Sequence, residues 1–302
     1  MRFTGSICAI VTPFTPEGEL DLAAFERLLD LHRAAGTDAI VVAGSTGESA
    51  ALEEAEFEAL VATAATRLGD AIPVIAGCGA AATHKAARLM GRARKSGAHA
   101  ALVVTPYYVR PTQEGLFRHY SALADGGELP IVLYNVPGRT GCDLLPETVA
   151  RLAPHPRIVG VKEARAEPER MDALLPLRDA GFAVLSGDDP TAARAMLAGA
   201  DGVISVAANV CPAAFRRLCT LARGGQREAA RALDAELAPL YGFLGAEPNP
   251  IPVKWLLARQ GRIASSLRLP LTELTAAHHA AANESLALLD RVERGDGASR
   301  AA

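Results

Sequence analysis

Eight short apolar runs recur along the first two thirds of the chain, and this rhythm constrains the fold more than any other feature. Each run is rich in Val, Ile, Leu and Ala and is too short for a helix. Nearly continuous hydrophobicity is typical of parallel strands buried on both faces. The predicted strands are Ile7–Val11, Ala39–Ala43, Val74–Ala76, Ala100–Val104, Ile131–Tyr134, Ile158–Val161, Ala183–Leu185 and Val203–Val206.

Amphipathic segments of helical length separate the strands, and many of them end at a glycine. The predicted helices include Leu22–Ala35, Glu53–Leu68, Thr83–Ser96, Glu114–Leu123, Pro146–Leu152, Pro168–Ala180 and Thr191–Ala198. Eight alternating strand–helix units predict a (β/α)8 TIM barrel. The alternative is a doubly wound open sheet, which would be expected to carry a Gly-rich loop after its first strand. Here Thr12-Pro13-Phe14 follows that strand instead.

The strand rhythm stops after Arg223, and only helical patterns follow. We therefore predict a catalytic barrel over residues 1–225 and a C-terminal helical domain over residues 226–302. The patterns predict helices at Gln226–Leu244, Val253–Arg259 and Leu271–Arg294, and a frayed tail at Gly295–Ala302.

Composition narrows the range of partners. The 302 residues carry a net charge of -3, whereas nucleic-acid-binding domains are usually basic. We find no signal peptide, no apolar run long enough for a membrane span, and no nucleotide-binding motif. The five cysteines are widely spaced and lack zinc-site spacing, so we expect a cytoplasmic protein with reduced thiols and no metal.

Polar residues follow several predicted strands, and in a TIM barrel the carboxyl ends of the strands form the active site. Hydroxyls, a phenol and an amine would converge at this end of the barrel. Packing alone is a poor explanation for so many polar side chains in one place. The segments are Thr12-Pro13, Gly44-Ser45-Thr46-Gly47-Glu48, Thr105-Pro106-Tyr107-Tyr108, Tyr134 to Thr140, Lys162-Glu163, Ser186-Gly187-Asp188-Asp189 and Ser205.

Lys162 directly follows the sixth strand. It is one of only four lysines in a chain with 31 Lys+Arg, so a plain positive charge at this position could have been an arginine. Arginine cannot deprotonate, whereas a desolvated lysine can act as a nucleophile. We predict that Lys162 forms a Schiff base with a small 2-keto acid such as pyruvate. The alternative is a lysine that extends to solvent or pairs with a carboxylate.

Three neighbouring positions suit such chemistry, and each has a structural alternative. Tyr134 could transfer protons, or it could be a core tyrosine. Ser45 and Thr46 lie between glycines and could bind a carboxylate through hydroxyls and backbone N–H groups, or they could simply form a tight turn. Arg139 could hold a second carboxylate, or it could be a solvated loop arginine.

Five ordered motifs resemble the dihydrodipicolinate synthase / N-acetylneuraminate lyase family over about the first 270 residues. The resemblance implies a class I aldolase-type barrel without cofactor or metal, acting on small molecules and assembled as a homotetramer, a dimer of dimers. The motifs are Gly44-Ser45-Thr46-Gly47-Glu48, Thr105-Pro106-Tyr107-Tyr108, Tyr134-Asn135-Val136-Pro137-Gly138-Arg139-Thr140-Gly141, Gly160-Val161-Lys162-Glu163-Ala164 and Asn249-Pro250-Ile251-Pro252-Val253-Lys254.

The resemblance also implies roles for individual residues. Lys162 is similar to the Schiff-base lysine and Tyr134 to the proton-transferring tyrosine. Ser45 and Tyr108 resemble the partners of that tyrosine, with Tyr108 contributed by the adjacent subunit. The binding roles implied are Thr46 for the pyruvate carboxylate, Arg139 for the carboxylate of aspartate semialdehyde, and the backbone of Gly187 and Ile204 for the pocket lining.

Within the family, Arg139, the Lys162-Glu163 pair and the Asn249-to-Lys254 segment favour the synthase branch, which condenses pyruvate with aspartate semialdehyde to 4-hydroxy-tetrahydrodipicolinate in lysine and diaminopimelate biosynthesis. Ser45 departs from the usual threonine of that branch, and Arg165-Ala166 departs from the usual Thr-Gly. The alternatives are cleavage of N-acetylneuraminate or of a 2-keto-3-deoxy sugar acid, and a non-catalytic barrel that binds a keto acid.

Feedback regulation is a separate expectation from the resemblance. Lysine-inhibited synthases place two His, an Asn and a Glu around an effector site. The corresponding positions here are Glu54, Phe57, Ala81 and Lys85. Because Lys85 would repel the amino groups of lysine, we expect an enzyme that lysine does not inhibit.

Overall fold

Eight parallel strands close into a barrel in the order of the chain. The computed structural model describes residues 2–127 and 129–294. Each strand pairs with the next, and the first pairs with the last. The TIM barrel is thereby confirmed, and the open-sheet alternative is wrong. The strands are β1 Gly5–Ala9, β2 Ala39–Val42, β3 Val74–Gly77, β4 Ala100–Val104, β5 Ile131–Asn135, β6 Ile158–Glu163, β7 Ala183–Ser186 and β8 Gly202–Ser205.

The helices begin and end close to the predicted positions, and two of them, α1 and α6, match at both ends. The helices are α1 Leu22–Ala35, α2 Glu54–Leu68, α3 Thr83–Lys95, α4 Gln113–Gly126, α5 Pro137–Thr140, α6 Pro146–Leu152, α7 Pro168–Leu174, α8 Asp189–Leu197, α9 Pro212–Arg223, α10 Arg227–Leu244, α11 Ile251–Arg259 and α12 His279–Arg294. Local capping explains the agreement at α1. The Asp21 carboxylate accepts a hydrogen bond from the backbone of Ala24 at 2.8 Å, and Gly36 ends the helix at φ 73°.

Two predicted helices are too long. The helix predicted from Pro168 to Ala180 ends at Leu174, because Pro176 cannot donate a backbone hydrogen bond, and a short 3-10 turn follows. The pattern over Leu271–Arg294 becomes helical only at Ala276, where a 3-10 turn leads into α12. The backbone N–H and the hydroxyl of Thr275 both donate to Glu247, which anchors the preceding segment outside the helix.

Strand β6 is two residues longer than predicted, so Lys162 lies within it. The hydrogen-bonded ladders extend the strand, because Lys162 pairs with Tyr134 of β5 and with Leu185 of β7. Arg139, predicted in a turn, lies in the short helix α5.

The core has two parts. One lies between the strands and the surrounding helices, and the other fills the inside of the barrel. Parallel strands buried on both faces require this double core. The inner part comprises Phe3, Ile7, Ala9, Ala39, Val41, Ile75, Ala100, Leu102, Val132, Tyr134, Val159, Ala183, Leu185 and Ile204.

The other predictions have different outcomes. All five cysteines are free thiols and buried, as expected. Across the described ranges, no helix is both long and apolar enough to cross a bilayer. The domain division at residue 225 stays a prediction, and the predicted frayed tail lies outside the described residues.

Candidate active site

A cavity of about 610 Å³ lies at the carboxyl ends of the strands. Its wall combines side chains from the strand ends with a segment of the C-terminal helical region. Six of the predicted site residues line it, namely Ser45, Thr46, Tyr134, Arg139, Lys162 and Gly187. The barrel therefore brings together residues that are up to 142 positions apart in the chain, from Ser45 to Gly187.

Lys162 and Tyr134 form the centre of the site. They are direct partners in the β5–β6 ladder, so their side chains leave the same face of the sheet. The Lys162 ammonium nitrogen lies 4.2 Å from the centre of the Tyr134 ring, and the two residues are only 5% and 7% exposed. Among the described residues Lys162 has no salt bridge, so the structure does not support the ion-pair alternative.

Hydrogen bonds on the opposite face hold the ends of β5 and β6. The Asn135 amide donates to both oxygens of the buried Glu163 carboxylate, at 3.1 and 3.0 Å, and to Asp143 at 2.8 Å. Arg165, which departs from the family pattern, donates its backbone N–H to Glu163 at 2.9 Å and its guanidinium to Asp143 at 3.0 Å. Burial raises the pKa of Glu163. This network fixes the backbone that carries Tyr134 and Lys162.

The turn after β2 carries Ser45 and Thr46, the two residues predicted to bind a carboxylate. Thr46 is 2% exposed, and its hydroxyl oxygen accepts a hydrogen bond from the Asn249 side-chain amide at 3.0 Å. The Thr12 hydroxyl donates to the carbonyl of Gly47 at 2.7 Å and so ties the turn to the loop after β1. Ser45 lines the cavity without a hydrogen bond to Tyr134, so its relay role stays a prediction.

Arg139 lies at the rim of the cavity. It is exposed, and its guanidinium donates to the backbone carbonyl of Asn249 at 3.2 Å. This contact holds one nitrogen of the guanidinium and leaves its other N–H groups for a ligand.

Gly187 lies where the chain passes close to β6. Its N–H donates to the carbonyl of Glu163 at 2.6 Å, and a side chain on it would come within 3.0 Å of Ala164 and of the Glu163 backbone. Only glycine leaves the cavity open here without displacing the end of β6.

Two predicted residues lie apart from the cavity. Ile204 is fully buried inside the barrel and is not part of the cavity wall. Tyr108 is 90% exposed at φ 74° and is not part of the cavity wall of its own chain. The roles assigned to these two residues stay predictions, and that of Tyr108 requires a second subunit.

Several cavity residues received no role from the sequence, among them the polar residues Asp188, Asp189, Glu247 and Asn249. Asp188 is the residue before α8, yet its side chain caps no N–H of that helix. Burial raises the pKa of Asp188, although the charge of Lys162 opposes that shift. Burial also raises the pKa of Asp189 to about 6, although its carboxylate accepts from the backbone of Ala207 at 2.8 Å. The two consecutive acids after β7 were the sequence signal that could have identified this pair.

Known proteins share both this sequence and this architecture. The model of the dihydrodipicolinate synthetase family matches residues 2–288. The chain belongs to this family. The 4-hydroxy-tetrahydrodipicolinate synthase of Xanthomonas axonopodis pv. citri is 58% identical over 94% of this chain and 93% of its own length. That of Stenotrophomonas maltophilia strain K279a is 56% identical over 94% of this chain and 95% of its own length.

A solved structure from the family has the same fold. The chloride-inhibited dihydrodipicolinate synthase of Acinetobacter baumannii, complexed with pyruvate, is 44% identical, with a TM-score of 0.93 over 95% of this chain and 99% of that one. The chain is therefore an enzyme of the dihydrodipicolinate synthetase family, and the non-catalytic alternative is disfavoured.

Proposed function

We propose that this chain condenses pyruvate with aspartate semialdehyde to 4-hydroxy-tetrahydrodipicolinate, in lysine and diaminopimelate biosynthesis, through a Schiff base on Lys162. One observation carries the residue assignment: a buried lysine, which has no ion pair among the described residues, faces Tyr134 in a cavity at the carboxyl end of the barrel. The names of the relatives and the pyruvate complex of the Acinetobacter baumannii enzyme support the substrates.

The chemistry requires an amine nucleophile and a group that moves protons. The neutral Lys162 nitrogen attacks the ketone carbon of pyruvate, and the resulting carbinolamine loses water to give a protonated imine. Loss of a methyl proton from the imine gives an enamine, whose carbon bonds to the aldehyde carbon of the second substrate. Tyr134, whose ring lies close to the lysine nitrogen, is the proposed group that gives and takes these protons. The amino group of the condensed product then attacks the imine carbon, which closes the ring of 4-hydroxy-tetrahydrodipicolinate and releases Lys162 as the free amine.

Two groups supply the carboxylate sites that the substrates require. The Thr46 hydroxyl is assigned to the carboxylate of pyruvate, deep in the cavity. Arg139 is assigned to the carboxylate of aspartate semialdehyde at the rim, because an arginine binds a carboxylate through two parallel hydrogen bonds. The synthase reaction is favoured over cleavage of a sugar acid by Arg139 and by the names of the relatives.

Reductive trapping tests the proposal. Incubation with pyruvate and borohydride is expected to add one reduced pyruvate to Lys162, located by mass spectrometry of peptides. Turnover is expected with pyruvate plus aspartate semialdehyde, and not with N-acetylneuraminate or 2-keto-3-deoxygluconate. An adduct on another residue, or cleavage of a sugar acid as the faster reaction, would contradict the proposal.

Assembly as a homotetramer, a dimer of dimers, is part of the same proposal. The segment Tyr107–Val109 exposes three consecutive apolar side chains, and Tyr108 is 90% exposed. Such a patch suits burial against a second copy, which would bring Tyr108 to the partner's cavity. One structural relative, 42% identical, is described as the first monomeric dihydrodipicolinate synthase variant. The cytoplasm is the proposed location, because all five cysteines are free thiols.

Lysine is expected to leave the activity unchanged. The Cyanidioschyzon merolae enzyme, 34% identical, binds lysine in its solved structure. In this chain the Glu54 carboxylate is paired with Arg88 at 3.2 Å and with Arg92 at 2.5 Å, and Phe57 is buried. Together with Lys85, this arrangement leaves no free carboxylate for an amino group at these positions. Steady-state rates in millimolar lysine test this expectation, and strong inhibition would overturn it.

A further inference from the structure

Asn249 contacts both predicted carboxylate sites at once. Its side-chain amide donates to the Thr46 hydroxyl oxygen at 3.0 Å, and its backbone carbonyl accepts from the Arg139 guanidinium at 3.2 Å. Asn249 itself lines the cavity, just before helix α11. Asn249, from the C-terminal helical region, thus connects Thr46 in the turn after β2 with Arg139 in helix α5.

The contact to Thr46 determines what its hydroxyl can do. A hydroxyl has one proton to donate and two lone pairs that accept. The Asn249 amide fills one of the acceptor positions, and no described residue accepts the Thr46 proton. The hydroxyl proton is therefore available to a carboxylate in the cavity, which can only accept.

A further contact joins the segment that carries Asn249 to the turn after β2. One turn into α11, the Lys254 ammonium binds Glu48 at 2.6 Å, and Glu48 follows Thr46 by two residues. The same two segments are thus joined at two points, once by Asn249 and once by Lys254. The oxygen of the Asn249 side chain is buried and has no hydrogen-bond partner in the described part of the chain, so its donation to Thr46 is the hydrogen bond that this side chain makes there.

We propose that Asn249 is a positioning residue whose side chain orients the Thr46 hydroxyl toward the carboxylate of the keto acid. Its backbone carbonyl orients Arg139 toward the second carboxylate. This inference rests on the proposed function. It predicts that a substitution of Asn249 weakens the binding of pyruvate and not that of aspartate semialdehyde. The substitution removes the side-chain contact to Thr46 and keeps the backbone contact to Arg139.

The test is the variant Asn249→Ala, measured for both substrates. The KM for pyruvate and the pyruvate concentration for half-maximal borohydride trapping are expected to rise about tenfold, the effect of losing one oriented hydrogen bond. The KM for aspartate semialdehyde is expected to stay near the wild-type value. Asn283→Ala, at an exposed position of α12, is the matched control for purification and folding.

A double-mutant cycle shows whether the effect passes through Thr46. In a Thr46→Val background, Asn249→Ala is expected to change the pyruvate KM little further, because the hydroxyl is already absent. Asn249→Asp keeps the size of the side chain. This variant is expected to weaken pyruvate binding more than Asn249→Ala does, because the new carboxylate would accept the Thr46 proton and repel the carboxylate of pyruvate. Asp also serves as the test if the alanine variant does not fold.

Three outcomes would overturn the inference: an unchanged pyruvate KM in Asn249→Ala, equal losses for both substrates, or additive effects with Thr46→Val. Wild-type trapping by pyruvate is measured in the same series. If pyruvate is trapped on the wild type and the variants show no difference between the two substrates, only the role of Asn249 is refuted. If pyruvate is not trapped on the wild type, the proposed function is refuted.

Discussion

The variant Lys162→Arg is expected to lose turnover by roughly 10³-fold or more and to form no borohydride-trapped adduct with pyruvate. Arginine keeps the positive charge and most of the length, but its guanidinium does not deprotonate and cannot attack a ketone. Lys162 is 5% exposed, and its ammonium nitrogen lies 4.2 Å from the centre of the Tyr134 ring. The measurements are the steady-state rate and intact-protein mass after trapping.

The matched control for this variant is Lys95→Arg, the same substitution at an exposed position in helix α3. It is expected to keep both the rate and the adduct. If Lys162→Arg retained a trapped adduct, the nucleophile would be another amine. If it lost the adduct and kept the rate, the reaction would not pass through an imine.

The second large effect concerns stability and the buried pair of Lys254 and Glu48. Both side chains are essentially inaccessible, at 0% and 1%, and the ammonium also donates to the carbonyl of Thr12 at 2.9 Å. Burial lowers the pKa of Lys254, and the Glu48 carboxylate opposes that shift. Removing one partner leaves a buried charge without compensation. Lys254→Met is therefore expected to reduce the free energy of unfolding by about 3–5 kcal/mol.

The double variant Lys254→Met/Glu48→Gln separates charge from packing. Both groups are then neutral, and the glutamine keeps an acceptor for the backbone N–H of Arg268, which donates to Glu48 at 3.1 Å. Much of the lost stability is expected to return, since a neutral replacement of a buried pair costs little. Urea unfolding at one fixed protein concentration measures each variant.

An exposed ion pair provides the control for this experiment. Arg118 and Glu114 lie one turn apart on α4 with side chains 78% and 49% exposed. Arg118→Met is expected to change the free energy of unfolding by only about 0.5 kcal/mol. Equal losses in Lys254→Met and Arg118→Met would show that burial of the first pair has no energetic consequence.

The sequence by itself determined the barrel and predicted that Lys162 and Tyr134 lie together at the ends of its strands. Strands and helices are formed by residues that are close in the chain, so the spacing of apolar residues along the sequence predicts them. Because the strands follow chain order, Tyr134 and Lys162 at the ends of consecutive strands had to meet. Helix ends were harder to predict, since Pro176 ends one helix early and the contact of Thr275 with Glu247 precedes the late start of another.

The scarcity of lysine was weaker evidence for a nucleophilic lysine than the sequence suggested. Lys254 is as rare a residue type as Lys162, yet it forms the buried ion pair with Glu48. What distinguishes the two is their surroundings: Lys162 faces a phenol and an open cavity, whereas Lys254 faces a carboxylate. Rarity alone could not separate an amine nucleophile from a structural cation.

Only the tertiary structure decided how the C-terminal segment completes the site. Asn249 is 203 positions from Thr46, and Lys254 is 206 positions from Glu48. No periodicity or local motif encodes such pairings, because they depend on how helix α11 packs across the barrel end. The sequence thus predicted the lysine and the tyrosine that meet at the strand ends, and the fold determined which residues contact Thr46 and Arg139.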